Sequence, residues 1–262
     1  MSKDRYSDPL RYFSELERTS AEYYVPYLSP LKAIGEGCRV LEIGCGQGGN
    51  LAPFAAAGCS VTGVDLAAGK IESARRIFAQ KGLQGTFFCE NFLSPSELGG
   101  RYDIVLVHDV IEHIEPPFKA DFFKGIRKYC ADGATVFFGF PVWQMPLGGH
   151  QQSCRSRWDR IPWLHLLPAG PYERWLRRHG ESDDKVSDLL SIWRSRMTAN
   201  SFERLAAETG YEVIRSTYWL INPHYKAKFG LRPVKLPRII AHIPGLGNAL
   251  TTSAHYLIRP VR

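Results

Sequence analysis

Between residues 38 and 140 the chain alternates short apolar runs with segments of helical periodicity, and this rhythm restricts the fold more than any other feature. The runs at 38–43 (CRVLEI), 60–64 (SVTGV), 86–89, 103–107 (DIVLV) and 134–140 (ATVFFGF) are mostly apolar rather than strictly alternating. A strand with one face in water alternates in polarity, whereas one buried on both faces does not. Between them, 48–57, 67–81 and 117–130 read as helices, the second with Ile71, Ala74 and Phe78 on one face. Doubly buried strands separated by helices predict an α/β domain with a doubly wound, mostly parallel sheet.

Before this core, residues 9–32 carry Leu10, Phe13, Leu16, Tyr23, Tyr24, Tyr27 and Leu28 at helical spacing. The rhythm breaks at Pro141. Residues 142–197 hold five of the six tryptophans, interleaved with prolines and arginines. Alternation resumes with a helix at 201–209, capped by Asn200 or Ser201 and stopped by Gly210. A strand at 211–221, a basic Pro/Gly-rich loop at 222–247 and a last strand near 250–258 follow. The expected organisation is a helical segment (1–35), a ligand-binding half (36–141), an inserted aromatic-rich lid (142–197) and a C-terminal part (198–262) completing a seven-stranded sheet.

At 262 residues, 44% apolar and 23% charged, the chain can bury a sizeable core and does not have the composition of a disordered protein. No apolar run reaches the roughly 18 residues that suggest a membrane span, and the opening MSKDRYSDPLRYF lacks the apolar core of a secretory signal. Six cysteines without CxxC or metal-ligand spacing fit reduced thiols in a cytoplasmic protein. Charge is uneven. Residues 1–140 carry 15 basic and 17 acidic side chains, residues 141–262 carry 18 and nine, and no acid follows Glu212. Arg215, Lys226, Lys228, Arg232, Lys235, Arg238, Arg259 and Arg262 make a tail of one sign, suited to a phosphorylated substrate, an acidic membrane surface or nucleic acid.

The run VLEIGCGQGGNL places Gly44, Gly46 and Gly48 between a strand and a helix. Glycine there permits positive φ and close approach of a ligand to the backbone, and the helix aims its free N–H groups at that ligand. Alone, the run satisfies both GxGxG and the dinucleotide pattern GxGxxG. Glu42 precedes the loop, Asp65 closes the second strand where an acid can take both ribose hydroxyls, and Tyr102–Ile114 (YDIVLVHDVIEHI) is a strand entering a polar turn.

Together these runs resemble the class I S-adenosylmethionine-dependent methyltransferases, their small-molecule members in particular. The resemblance covers residues 36–140, and 198–262 by strand order only. It implies a Rossmann-like sheet, S-adenosylmethionine as cofactor and roles by position. Glu42, Gly44, Cys45 and Gly46 match the motif that holds the cofactor's amino-acid part; Asp65 matches the ribose acid and Leu66 the adenine contact. Asn91 stands where the family usually has Asp, with a side-chain carbonyl able to accept the same bond. Phe92 would stack on adenine, and His108 would lie beside the sulfonium. Glu112-His113 matches the EH pair of many small-molecule members.

Methyl transfer from a sulfonium depends mainly on holding nucleophile and methyl in line, and a base helps when the acceptor must lose a proton. The candidate bases are His108, Asp109, His113 and His150, with His113 the first choice and His150, in PLGGHQQ, the second. The spacing Asp109-x-x-Glu112-His113 also resembles ubiquinone-pathway O-methyltransferases, where it is associated with a divalent metal; no metal is assigned here. Tryptophans and leucines of the lid, with Arg155, Arg157, Arg160 and Arg174, would suit an apolar, anionic or lipid-linked acceptor. The expected function is methylation of a small or lipid-linked acceptor, O-methylation favoured, with peripheral membrane contact open to the basic tail. A nicotinamide-dependent dehydrogenase would leave Glu42 and the DVIEH turn without a role. A nucleic-acid methyltransferase would suit the tail, but the (D/N)PP(Y/F) tetrapeptide is missing. A non-catalytic cofactor-binding partner is the third rival.

Overall fold

The computed structural model describes residues 8–94, 98–241, 243 and 245–261. Eight strands form one sheet in the order β3-β2-β1-β4-β5-β8-β6-β7. They are β1 (Arg39–Ile43), β2 (Ser60–Asp65), β3 (Thr86–Cys89), β4 (Tyr102–His108), β5 (Cys130–Phe140), β6 (Tyr211–Ile221), β7 (Val234–Leu236) and β8 (Ser253–Pro260). Strands β1 to β5 are parallel; β8 is antiparallel to both β5 and β6, so β6 runs with the parallel set.

The strands are apolar throughout because each face meets its own core. In β4, Val105 and Val107 enter one cluster while Ile104 and Leu106 enter the other. In β5, Val136, Phe138 and Phe140 face one side and Phe137 the other. The helix Ala68–Gln80 covers the second face with Ile71, Ala74, Ile77 and Phe78. The helices Lys119–Tyr129 and Ala199–Glu208 cover the first, where Phe123 stacks on Phe138 at 5.1 Å and Phe202 meets Phe138 at 4.9 Å. Each buried ring contributes ~1.5–3 kcal/mol from burial.

The sheet has eight strands rather than the expected seven. The extra one is β7, three residues bounded by Pro233 and Pro237 that pair antiparallel at the edge of β6; so short and proline-flanked a run carries no periodicity. The segment read as a loop at 222–247 also contains the helices His224–Phe229 and Arg238–Ala241. Leu246–Leu250 is helical, so the last strand begins at Ser253 rather than near 250. The helix expected at 48–57 is confined to Ala52–Ala56, because the glycine loop continues as turns through Leu51. The cap of the helix Ala199–Glu208 is Thr198 rather than Asn200 or Ser201. Thr198 is extended and its hydroxyl accepts from the Ser201 amide, while Ser201 Oγ accepts from the Thr198 amide.

Residues 142–197 leave the sheet after β5 and form 3₁₀ turns and two helices, Ala169–Arg178 and Asp183–Ser195. They have a small core of their own, including Leu164, Tyr172, Leu176, Val186 and Leu189. At the N-terminal end the helix Pro9–Thr19 continues through a π turn at Ser20–Tyr24 into Val25–Leu28. Pro26 has no N–H to offer the preceding turn, which accounts for the widened geometry.

Candidate active site

Strand order reverses between β1 and β4, and ligands of doubly wound sheets bind at the carboxyl ends of the strands flanking that point. The glycine loop starts there. Gly44 and Gly46 have φ of +71° and +54°, a left-handed backbone that disfavours other residues. The Gly44 and Cys45 amides donate to Val64 O at 2.8 and 3.1 Å, which ties the loop to the end of β2. A Cβ on Gly44 would lie 2.4 Å from Val110 Cγ2, so glycine lets the turn after β4 pack onto the loop. A Cβ on Gly46 would meet nothing within 4 Å; here the loop faces open space that a ligand can take. Asp65 accepts from the Gly46 amide through Oδ2 and from the Ala67 amide through Oδ1, both at 2.9 Å. Each oxygen retains acceptor capacity for a hydroxyl.

Two cavities open at this edge. The first, about 330 Å³, is lined by Gly44, Asp65, Leu66, Asn91, Phe92 and His113, among others. The second, about 430 Å³, is lined by Tyr24, His108, His113, His150, Lys228 and His255, among others. His113 belongs to both. It sits on the 3₁₀ turn Ile111–His113 and is the point where the two spaces meet.

Of the expected cofactor residues, Gly44, Asp65, Leu66, Asn91 and Phe92 line the first cavity, and Glu42, Cys45, Gly46 and His108 do not. Glu42 lines neither cavity: it is buried, Oε1 accepts from Asn50 Nδ2 at 2.7 Å, and Oε2 has no partner. Burial pushes its carboxyl up to about 8. Cys45 is also buried and lines neither space. Asn91 is at the first cavity, but its carbonyl already accepts from the Leu93 amide at 3.0 Å, which turns its NH₂ into the more available group. Phe92 contributes a buried wall, packed edge-on against Phe122, rather than an open ring. Leu66 is exposed. His108 lines the second cavity, not the first: its Nε2 is 2.7 Å from the Tyr24 hydroxyl and its Nδ1 is 3.5 Å from Asp109 Oδ2.

The turn brings three groups together. Glu112 Oε1 lies 3.9 Å from His113 Nε2 and 3.7 Å from His150 Nε2, and the imidazoles meet edge to face at 5.0 Å. Glu112 is buried with neither oxygen hydrogen-bonded; burial first, and Asp109 second, push its carboxyl well up. Burial brings His150 down to about 3; His113, whose side chain is 45% exposed, is lowered below its ordinary 6.5 by partial loss of solvent at the turn. Both imidazoles are therefore held in the neutral form that can accept a proton. The donor atoms of Glu112, His113 and His150 lie within 4.8 Å of one another, and this trio has His150 where the sequence spacing suggested Asp109.

Some of the site was not visible from sequence. Tyr24 reaches it from the π turn, and His255, on β8, accepts from Trp219 Nε1 at 3.0 Å. Each was embedded in a run whose spacing spoke only for core packing. The helix His224–Phe229 roofs the second cavity and is held to the N-terminal helical segment by Lys226–Glu22 at 2.8 Å.

A parallel sheet reversing at β1/β4, a glycine loop and an acid closing β2 define an α/β protein that binds a nucleoside-containing cofactor. A family model described as a methyltransferase domain matches residues 4–216. The chain belongs to that family. Among curated proteins, it is 38% identical to the ubiquinone biosynthesis O-methyltransferase of Chelativorans sp. (strain BNC1) over 30% of this chain and 31% of that protein. It is 31% identical to the protein of the same name from Bordetella avium (strain 197N), over 51% and 55%. These matches thus span from about a third to just over half of the relatives' length. Among solved structures, an S-adenosylmethionine-dependent methyltransferase from Clostridium acetobutylicum ATCC 824 is similar with a TM-score of 0.60, 9% identity and coverage of 94% of this chain and 92% of that one. Magnesium protoporphyrin IX methyltransferase from Synechocystis PCC 6803, solved with bound SAH, has a TM-score of 0.55 and 15% identity, covering 93% and 82%. Identities this low speak for the fold alone.

Proposed function

We propose that the chain is an S-adenosylmethionine-dependent methyltransferase that methylates a hydroxyl of a small molecule. The observation that carries this reading is the sharing of His113 by two cavities, one beside the glycine loop and Asp65, the other beside His150 and Lys228. The loop suits the cofactor: Gly46 faces open space, and Asp65 is oriented by two amides toward a diol. The buried Glu42 oxygen behind the loop lacks a partner, and a water bridging it to the loop would link it to the cofactor's cationic amino-acid end.

When bound, the cofactor supplies a methyl group already activated on a sulfonium. The protein's part is to align an acceptor hydroxyl and remove its proton. Neutral His113 accepts that proton in our reading, with the buried, protonated Glu112 carboxyl 3.9 Å behind its Nε2. His150 shares the same carboxylate oxygen and keeps the two rings edge to face. A second reading rests on the same trio: its donor spacing suits a divalent cation polarising the acceptor oxygen. Chelation without loss of turnover would remove it.

The names of the matched relatives support a hydroxylated, ring-containing acceptor. The apolar and basic surroundings of the second cavity support one with a lipid or anionic part: Met145, Leu147, Phe229 and Leu231 line it together with Lys228. The deciding experiment is calorimetric titration with S-adenosylhomocysteine and, separately, NADH, followed by turnover on a catechol panel. Binding of the first alone, weakened by Asp65→Ala by the roughly 1.5–3 kcal/mol of charge-assisted bonds, supports the reading. Binding of NADH instead would overturn it. His113→Ala should lose turnover while keeping cofactor affinity.

A further inference from the structure

The inserted segment contains a polar cluster whose residues line neither cavity. Cys154, Asp159 and Glu181 are all buried, Asp159 completely, and their Sγ and carboxylate oxygens lie within 4.8 Å of one another. They come from three different turns. Cys154 follows the 3₁₀ turn Gln151–Ser153, Asp159 sits in Arg157–Arg160, and Glu181 lies between the helices Ala169–Arg178 and Asp183–Ser195. Glu181 is anchored, since its Oε1 accepts from the Arg155 and Ser156 amides at 2.6 and 3.0 Å.

Asp159 is different. Neither of its oxygens makes a well-formed hydrogen bond, and His179 Nδ1 lies 3.6 Å from Oδ1. That nitrogen is already 2.8 Å from the Trp175 carbonyl, to which it donates. The Tyr172 hydroxyl, a separate group buried in the same place, also has no partner and is acted on by both Cys154 and Asp159. A carboxylate removed from water with only the Trp175 indole as a nearby side-chain donor is costly, and two carboxylates beside a thiol compound the cost. A bound cation removes it.

We propose that Cys154, Asp159 and Glu181 bind a zinc ion that cross-links the three turns of the inserted segment. Zinc accepts thiolate and carboxylate together at about 2.0–2.3 Å, which sets neighbouring donors roughly 3–4 Å apart, within the observed grouping. Calcium and magnesium prefer all-oxygen sites and do not match the thiol. Water or the Tyr172 hydroxyl completes the coordination. The bound ion takes the thiol proton to solvent on binding, so no other reactant is required.

Cobalt(II) titration of the chelator-treated full chain tests this, because a thiolate ligand produces a sulfur-to-cobalt charge-transfer band. The Glu112, His113 and His150 group has no sulfur and cannot give that band, so the two donor sets are distinguished. One equivalent of cobalt should develop the band and zinc should bleach it. Cys154→Ser should abolish the band, and Asp159→Asn should weaken cobalt binding at least tenfold, with the far-ultraviolet circular dichroism of each variant unchanged. Absence of the band in the wild-type chain overturns the proposal without any variant. So does a band of equal intensity and affinity in Cys154→Ser, which would assign it to another cysteine.

Discussion

Glu42 closes the buried end of β1 with one oxygen on Asn50 and the other unpaired, and its carboxyl is held up at about 8 by burial. The folded pKa lies above the unfolded value of about 4.3, so the unfolded chain ionises first as pH rises. Glu42 therefore costs stability progressively from about pH 4.5 to about 8, and nothing below that window. In the absence of cofactor, Glu42→Gln should raise Tm at pH 8.5 by an amount reflecting a few kcal/mol and leave it almost unchanged at pH 4; thermal unfolding at both values checks this. The sign for His113 is opposite. Its imidazole is lowered below 6.5, so it stays neutral further into acid, and the acid limb of turnover should lie below pH 6.5. A limb above 7 in the pH–rate profile would take His113 out of the base role. At this scale, the placement of the glycines, Asp65 and His113 at the strand ends could be read from the sequence, because a loop leaving a strand sets where each residue stands. The partner of His108 could not be read: Tyr24 lies 84 residues earlier in the chain.

Two elements hold the turn Ile111–His113. The helix Asp183–Ser195 is joined to the chain just beyond it by Arg194 on Glu115, with Ser191 Oγ donating to the same carboxylate at 2.8 Å. Lys119, buried, donates to Ser195 Oγ at 2.8 Å and to Ser195 O at 3.2 Å. The Arg194–Glu115 pair is partly exposed, so Arg194→Gln should cost under about 1 kcal/mol. It should nonetheless lower turnover, because the segment that seats His113 and carries His150 loses a tether; urea unfolding and steady-state kinetics separate the two effects. On the same face of the sheet, Phe202 packs against Phe123, Phe138, Phe140 and Tyr256. Phe202→Ala should cost about 3–5 kcal/mol in urea unfolding. The helices of the parallel half were legible because their apolar faces repeat over three turns. The 3₁₀ turns of 142–197 and the short helices of 222–250 were not, since a run of three to six residues has no period to detect.

For the whole molecule, charge and apolar exposure converge on one segment. Leu231, Val234, Ile239, Ile243 and Leu246 are exposed, Ile239 at 85%, and Arg232, Lys235 and Arg238 are exposed among them. Arg262, the last of the basic run, lies outside the described residues. Among the described residues no helix is long and apolar enough to cross a membrane. If the acceptor is lipid-linked, the chain should co-sediment with phosphatidylglycerol vesicles at low salt, lose that binding at 0.5 M salt where charge is screened, and ignore phosphatidylcholine. Ile239→Asp should weaken the binding. Equal recovery with both lipids would leave the basic residues to substrate.

By itself, the sequence determined that a parallel, doubly covered sheet forms and that its glycine loop and Asp65 lie at one edge, because apolar runs and local turns are short-range properties of the chain. Only the tertiary structure decided that Glu42 is buried, that His108 faces the second cavity, and that His150 comes to Glu112 across 38 residues. Those outcomes depend on how distant segments pack against one another, and burial, which sets each group's charge, is defined only once they have packed.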